Sequence, residues 1–304
     1  MPTRRFGAFL ICFLLIASIC SLGQQPSRME TFQYMNLNTL PDAINEFRQI
    51  AGHLGDEPEG KLGFIRQADG RHKIFAYQLA NCPSSVVSTW PMAINNFGTV
   101  AGMVYCGYLD LPSIGFVRRA SGTVTFVRGP GGHSVVITGI NDLGFTVGTI
   151  GGDGPDYKYR GFIRSPGGAI AYLDAGPNVT IFPLDINDYG TIVGMYQQKD
   201  AATNEVTNSG FIYKNGKYKL YRFGGDTRFT WIDNAIGEIF GEVRDDRFDR
   251  FLMKKNGQVH SISDQLSKYE VDAAVSALNG RGDIVGYGGS PSELHGFLVR
   301  HAVK

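Results

Sequence analysis

One phrase recurs six times along this chain, and its period limits the fold more than any other feature of the sequence. It runs Ala43-Ile44-Asn45 with Gly52, Ala93-Ile94-Asn95 with Gly98 and Gly102, and Gly139-Ile140-Asn141 with Gly144 and Gly148. It continues as Asp185-Ile186-Asn187 with Gly190 and Gly194, Ile232-Asp233-Asn234 with Gly237 and Gly241, and Ala277-Leu278-Asn279 with Gly282 and Gly286. The consensus is Asn-x-x-Gly-x-x-x-Gly. Successive asparagines stand 50, 46, 46, 47 and 45 residues apart, so the chain is an array of similar units. Asparagine at the first position of a type I turn bonds the backbone ahead of it, and glycine at the fourth accepts a positive φ, so each copy reads as a hairpin corner. The later glycine falls inside a strand, where it marks close approach of another backbone or an aromatic ring.

A second phrase alternates with the first: Gly63-Phe64-Ile65, Gly115-Phe116-Val117, Gly161-Phe162-Ile163, Gly210-Phe211-Ile212, Arg250-Phe251-Leu252 and Gly296-Phe297-Leu298. Each opens an aromatic-aliphatic strand. A turn and a further strand follow, as in Ser165-Pro166-Gly167-Gly168 before Ala169-Ile170-Ala171-Tyr172-Leu173, or Asn215-Gly216 before Tyr218-Lys219-Leu220-Tyr221. One unit therefore holds four short strands. Such a unit cannot bury both faces alone, and a period near that of propeller blades, longer than most β-solenoid coils, predicts an all-β, six-bladed β-propeller over residues 31–304. The first unit starts at Phe32-Gln33-Tyr34, and the last Gly-Phe strand, 296–300, has no unit after it. The carboxy-terminal strand is therefore expected to complete the blade begun by residues 31–55, so that amino- and carboxy-terminal strands pair and leave no open edge.

A Phe-aliphatic strand, a short strand and then Ala-Ile-Asn-x-x-Gly-x-Val-x-Gly resembles the extracellular HAF-repeat family, across nearly the whole chain after its first residues. The family's His-Ala-Phe phrase survives best as His295-Gly296-Phe297, while Leu62, Ile114, Arg160, Ser209 and Asp249 take the His place in the other copies. The resemblance implies secretion and a repeat scaffold. It implies no reaction and carries over no catalytic residue.

The amino terminus agrees with secretion. Met1-Pro2-Thr3-Arg4-Arg5 precedes an apolar run from Phe6 to Cys20 and then Ser21-Leu22-Gly23, the layout of a signal segment, 1–23, cleaved before Gln24. Residues 24–30 read as a linker. An uncleaved anchor is the other reading; lipidation at Cys20 is disfavoured because Ile19 stands where a small residue is wanted. The protein is thus expected outside the cytoplasm, extracellular or periplasmic. Loss of the segment removes Arg4 and Arg5 and no acid, taking the formal charge from +1 to −1. A near-neutral chain lacks the concentrated Lys and Arg that nucleic acid or an anionic membrane surface requires. Of the four cysteines, Cys82 and Cys106 remain, and in an oxidising compartment a disulfide between them is expected.

Little else signals chemistry. The six histidines form no pair at i, i+4 and no cluster with cysteine, and there is no Gly-x-Ser-x-Gly elbow or phosphate-binding Gly-x-x-x-x-Gly-Lys loop. Arg281-Gly282-Asp283 spells an adhesion tripeptide, but Gly282 is a turn glycine of the repeat. Asp153 and Asp156, in a Gly-rich loop, have oxygen donors suited to calcium, yet neither they nor Asp245 and Asp246 complete a calcium-loop pattern, and solvated loops are the plainer reading. No other cofactor is implied. Trp90 and Trp231 each precede an Asn phrase and are candidates for stacking on a sugar, against the commoner role of packing between blades.

The functional expectation is a non-catalytic, monomeric scaffold that binds a glycan or an extracellular protein through connections of uneven length, 103–114, 149–160 and 195–209. The competing reading is a secreted polysaccharide hydrolase or lyase, with carboxylates from several blades meeting at the mouth of a central channel.

Overall fold

In every unit the two phrases meet as a cross-strand pair. The strand glycine of the Asn phrase lies opposite the phenylalanine of the Gly-Phe phrase: Gly52 with Phe64, Gly102 with Phe116, Gly148 with Phe162, Gly194 with Phe211, Gly241 with Phe251 and Gly286 with Phe297. A Cβ on Gly52 would strike the Phe64 ring at 2.7 Å and the Leu40 carbonyl. Glycine is required there so that the ring can lie flat across the neighbouring strand. All six phenylalanines are buried, and they form the largest side chains of cores that lie between consecutive sheets.

The computed structural model describes residues 29–55, 60–107, 111–151, 159–244, 248–267, 273–290 and 292–303. They form six four-stranded antiparallel sheets set in a ring, a β-propeller. The first blade is Thr39–Ile44, Ile50–Leu54, Leu62–Arg66 and His72–Phe75, and the second is Val87–Ile94, Val100–Cys106, Ile114–Arg118 and Val124–Val127. The third is Ser134–Ile140, Thr146–Gly151, Arg160–Arg164 and Ile170–Leu173, and the fourth is Val179–Ile186, Ile192–Lys199, Val206–Lys214 and Lys217–Tyr221. The fifth is Asp226–Ile232, Ile239–Arg244, Phe248–Met253 and Val259–Ser261. The sixth combines Ala273–Leu278, Ile284–Ser290 and Glu293–Val299 with Met29–Phe32 as its outer strand.

The terminal strands therefore pair, Met29 opposite Val299 and Phe32 opposite Gly296. The division of labour is the reverse of the sequence expectation. The first blade has four strands of its own, and it is the amino-terminal strand that completes the blade of the carboxy terminus. The unit accordingly begins at the Asn phrase and ends after the Gly-Phe hairpin. Met29 and Glu30, assigned above to a linker, belong to this closing strand, where Glu30 makes an ion pair with Arg66. The signal segment lies outside the described residues.

The fifth Asn phrase is also shifted by one. Asp233 rather than Asn234 occupies the turn position: its N–H bonds the Glu238 carbonyl at 2.8 Å, and its Oδ1 accepts from Ala235 and Ile236. In the other copies asparagine does this work, as Asn45 does with Gln49. Among the described residues no helix is long and apolar enough to cross a membrane.

Candidate functional site

Each inner strand carries a bulge just before its Asn turn, where the register slips by one residue. The extra residues are Asp42, Met92, Thr138, Leu184, Thr230 and Ser276, and all six line a central cavity of about 120 Å³. A bulge re-aims its side chain out of the pleat, and repeated six times it builds the channel wall. Because the bulge residue differs from copy to copy, the repeat pattern did not reveal it.

The next position along each inner strand is Ala43, Ala93, Gly139, Asp185, Trp231 and Ala277. Four small residues leave room, and Asp185 and Trp231 fill it. Asp185 is half-buried and borders the channel; its Oδ1 accepts from its neighbour Ile186 at 2.9 Å and its Oδ2 from Ile232 of the next blade at 3.0 Å. Burial raises its carboxyl to about 7, and the two backbone N–H groups oppose that rise. The signal for Asp185 was its departure from alanine or glycine at this column. Nearby, Asp42 Oδ2 and His53 Nδ1 lie 2.7 Å apart, and the His53 ring packs on Trp90 at 4.9 Å between centroids.

Two rings of hydrogen bonds tie the blades at the Asn-turn end of the channel. In the first, the asparagine Nδ2 donates to the backbone carbonyl of the equivalent residue on the following blade. Asn45 reaches Asn95 at 2.8 Å, while Asn95 to Asn141, Asn141 to Asn187 and Asn279 to Asn45 each span 3.0 Å. In the second, the following backbone N–H donates to the side-chain oxygen one blade on: Glu46 to Asn96, Asn96 to Asp142, Asp142 to Asp188 and Asp188 to Asn234, at 2.7–3.0 Å. Gly280 closes back to Glu46 at 2.7 Å.

The mouth thus carries three carboxylates, Glu46, Asp142 and Asp188, and each already accepts a backbone N–H from the preceding blade. Burial raises the Glu46 and Asp188 carboxyls above their usual range. They stand at equivalent turns of the first, third and fourth blades, and the neighbouring Asp142 adds to the rise at Asp188.

Outside the rings, the same turns carry a crown of exposed apolar side chains. Phe47, Phe97, Leu143 and Tyr189 stand two residues after the repeat asparagine, and Ile236 takes this place in the longer fifth turn. They are 59, 70, 59, 67 and 54% exposed; in the sixth blade the position is Arg281. Single exposed hydrophobes are ordinary, but five at one repeat position are a surface property of the fold. Phe47 and Phe97 flank Gln49, Gln67 and Asn96 in an open depression of about 260 Å³ between the first and second blades.

The two tryptophans are not brought together. Trp90 lies at the boundary of the first and second blades under Lys61, whose Nζ is 4.5 Å from the ring centroid, and its indole N–H is buried without a partner among the described residues. Trp231 lines the channel and packs against the core between the fifth and sixth blades. Asp153, Asp156, Asp245 and Asp246 lie outside the described residues. Among those described, no group of three or more His, Cys, Asp or Glu is placed to hold a metal ion. Cys82 and Cys106 are joined in a disulfide, Cα–Cα 6.0 Å. Asp283 of the Arg-Gly-Asp tripeptide is fully buried and ion-paired to Arg48. Of the three connections of uneven length, 195–209 shortens to a turn at 200–205, because its flanking strands run to Lys199 and start at Val206. It lies at the end of the blade opposite the Asn turns.

No family model matches the chain, and no curated protein matches it. Among solved structures, the β-propeller domain of the Trilobed protease from Pyrococcus furiosus is similar over 86% of this chain and 79% of that one, with 11% identity and a TM-score of 0.50. That domain has an open velcro topology, whereas here the terminal strands pair. The WD40 domain of SCAP from fission yeast matches over 92% of this chain and 75% of that one, with 8% identity and a TM-score of 0.38. The likeness to the first shows a shared propeller fold.

Proposed function

We propose that this protein is a secreted, non-catalytic propeller scaffold of the HAF-repeat type that binds a glycan on its Asn-turn face. The observation that carries the reading is the crown of five exposed apolar side chains at one repeat position, set beside amides in the Phe47–Phe97 depression. Flat aromatic faces beside amide groups are the chemistry that takes up the apolar face and the hydroxyls of a pyranose. The non-catalytic part is supported by the mouth carboxylates, each of which already accepts a backbone N–H of the preceding blade, where glycoside hydrolysis needs two carboxyls placed to flank one bond.

The test is a glycan array probed with the mature protein, beside an assay for new reducing ends or unsaturated products on the polysaccharides retained. Retention without turnover, weakened about tenfold or more by Phe47→Ser with Phe97→Ser, is the expected result. Turnover, or retention unaffected by the double variant, contradicts the reading.

A further inference from the structure

A second depression on the same face differs in chemistry from the first. Between the fourth and fifth blades lies a cleft of about 370 Å³ lined by Lys214, Lys219, Lys254 and Lys255, with Tyr189 and Tyr221 among the remaining lining residues and, among the described residues, no Asp or Glu. The four lysines are exposed, and among the described residues none is paired with a carboxylate. Lys214, Lys219 and Tyr221 share one face of the outer hairpin of the fourth blade, with Ile212 opposite Lys219, and Lys219 Nζ stands 5.0 Å from the Tyr221 ring centroid. Lys254 and Lys255 face them from a tight turn of the fifth blade, in which the Gly257 N–H bonds the Lys254 carbonyl at 2.8 Å.

Four unneutralised cations around one cleft stand out in a chain whose formal net charge is +1. Holding them together costs mutual repulsion unless an anion shares the site. On the third-blade side the patch does not continue, because the equivalent turn, Ser165-Pro166-Gly167-Gly168, carries no charge, and among the described residues no charged side chain lines the depression between the first and second blades. A long polyanion would be served by a continuous basic stripe, not by one pocket. The volume suits one or two sugar rings, the tyrosines offer aromatic faces, and the exposed Asn256 adds a polar group for hydroxyls.

We infer that the cleft between the fourth and fifth blades binds an acidic glycan, with the lysines taking the carboxylate of a uronic acid residue while a tyrosine packs on its ring. This deepens the glycan-binding reading and rests on it.

The test is calorimetric titration of the mature protein with a uronic acid hexasaccharide at low and high salt, beside a neutral glucose hexasaccharide, inorganic polyphosphate and a short single-stranded DNA. The uronate should bind at low salt and weaken as salt rises. Lys254→Gln with Lys255→Gln should weaken it about tenfold, and Tyr189→Ala should weaken the uronate while leaving any residual polyphosphate binding unchanged. Lys73→Gln with Lys199→Gln, on exposed lysines elsewhere, should change nothing, and matched unfolding midpoints check that every variant is folded. Polyphosphate or DNA binding as tightly as the uronate overturns the inference, since charge alone would then explain the cleft. Binding of the neutral hexasaccharide alone, lost in Phe47→Ser with Phe97→Ser, overturns this inference and leaves the broader reading standing. Binding of neither sugar overturns this one, and an array on which no glycan is retained removes both.

Discussion

Asn279 Nδ2 donates to the backbone carbonyl of Asn45 across 3.0 Å, joining residues 234 apart in the chain and carrying the ring of asparagine bonds over the gap between the last blade and the first. The same side chain accepts the N–H groups of Arg281 and Asp283 at 3.1 and 3.0 Å. One residue thus makes a turn and closes a ring.

Asn279→Ala strands two backbone N–H groups and one carbonyl that are buried or half-buried, and should cost about 3 kcal/mol, since each orphaned group loses its partner without regaining water. Asn141→Asp keeps the oxygen that accepts from Phe145 but removes the donor to Asn187, and should cost about 1 kcal/mol. Urea unfolding midpoints compare the two; equal costs would mean that the inter-blade bond, rather than the turn, dominates.

Arg48 stands at the turn position that glycine fills in the other copies: its φ is 59, where Gly98, Gly144, Gly190, Gly237 and Gly282 have φ of 69–81. A left-handed conformation costs a branched or long side chain about 1 kcal/mol, and the ion pair to fully buried Asp283 at 2.8 Å offsets it. Burial pushes the Asp283 carboxyl up, but hydrogen bonds from Arg48, the His301 N–H and Asn279 outweigh that and hold it below the usual range. A depressed carboxyl contributes stability above its unfolded pKa, and the contribution is lost as pH falls through the folded value. Arg48→Gly relieves the backbone yet leaves a buried carboxylate without its cation, so it should destabilise by roughly 3 kcal/mol at neutral pH. The difference from the parent should shrink below about pH 4, as thermal melts over an acid series would show.

Asp185 has the opposite sign. Its folded carboxyl holds a proton up to about 7, whereas an unfolded one releases it near pH 4. Stability therefore falls as pH rises between those values and levels off above them. Asp185→Asn removes the titration while giving up one of two backbone acceptors, so the variant should lose stability at pH 5 and gain on the parent by on the order of 3 kcal/mol by pH 8. Parallel melting curves across that range would contradict the assignment.

The disulfide between Cys82 and Cys106 spans a sequence separation of 24 and ties the connection between the first two blades to the second strand of the second. A loop of that length should make it worth about 3 kcal/mol. Reduction, or Cys82→Ser with Cys106→Ser, should lower the unfolding midpoint accordingly without altering the circular dichroism of the folded protein.

The period, the four strands per unit and the pairing of the terminal strands were legible because each depends on residue types with one dominant use: glycine where a ring or carbonyl crowds in, asparagine at a corner. What was not legible is what those residues do across blades. Asn45 spends Oδ1 on its own turn, which sequence reasoning reads, and Nδ2 on Asn95, which it does not. The phase of the unit was misread because a strand shared between the ends looks the same from either end. Asp233 was passed over because asparagine at the next position mimicked the repeat. The crown of Phe47, Phe97, Leu143, Tyr189 and Ile236 was visible as a column, but hydrophobicity alone suggests burial, and only the turn geometry turns those side chains outward.

The most direct test of the account is hydroxyl-radical footprinting of the mature protein with and without a saturating uronic acid oligosaccharide. Protection of Tyr189 and Ile236, extending to Phe47 and Phe97 with longer chains, is the predicted result. Protection instead at Tyr159 and Val206, which are exposed at the opposite end of the blades, would place binding on the wrong face and contradict the account.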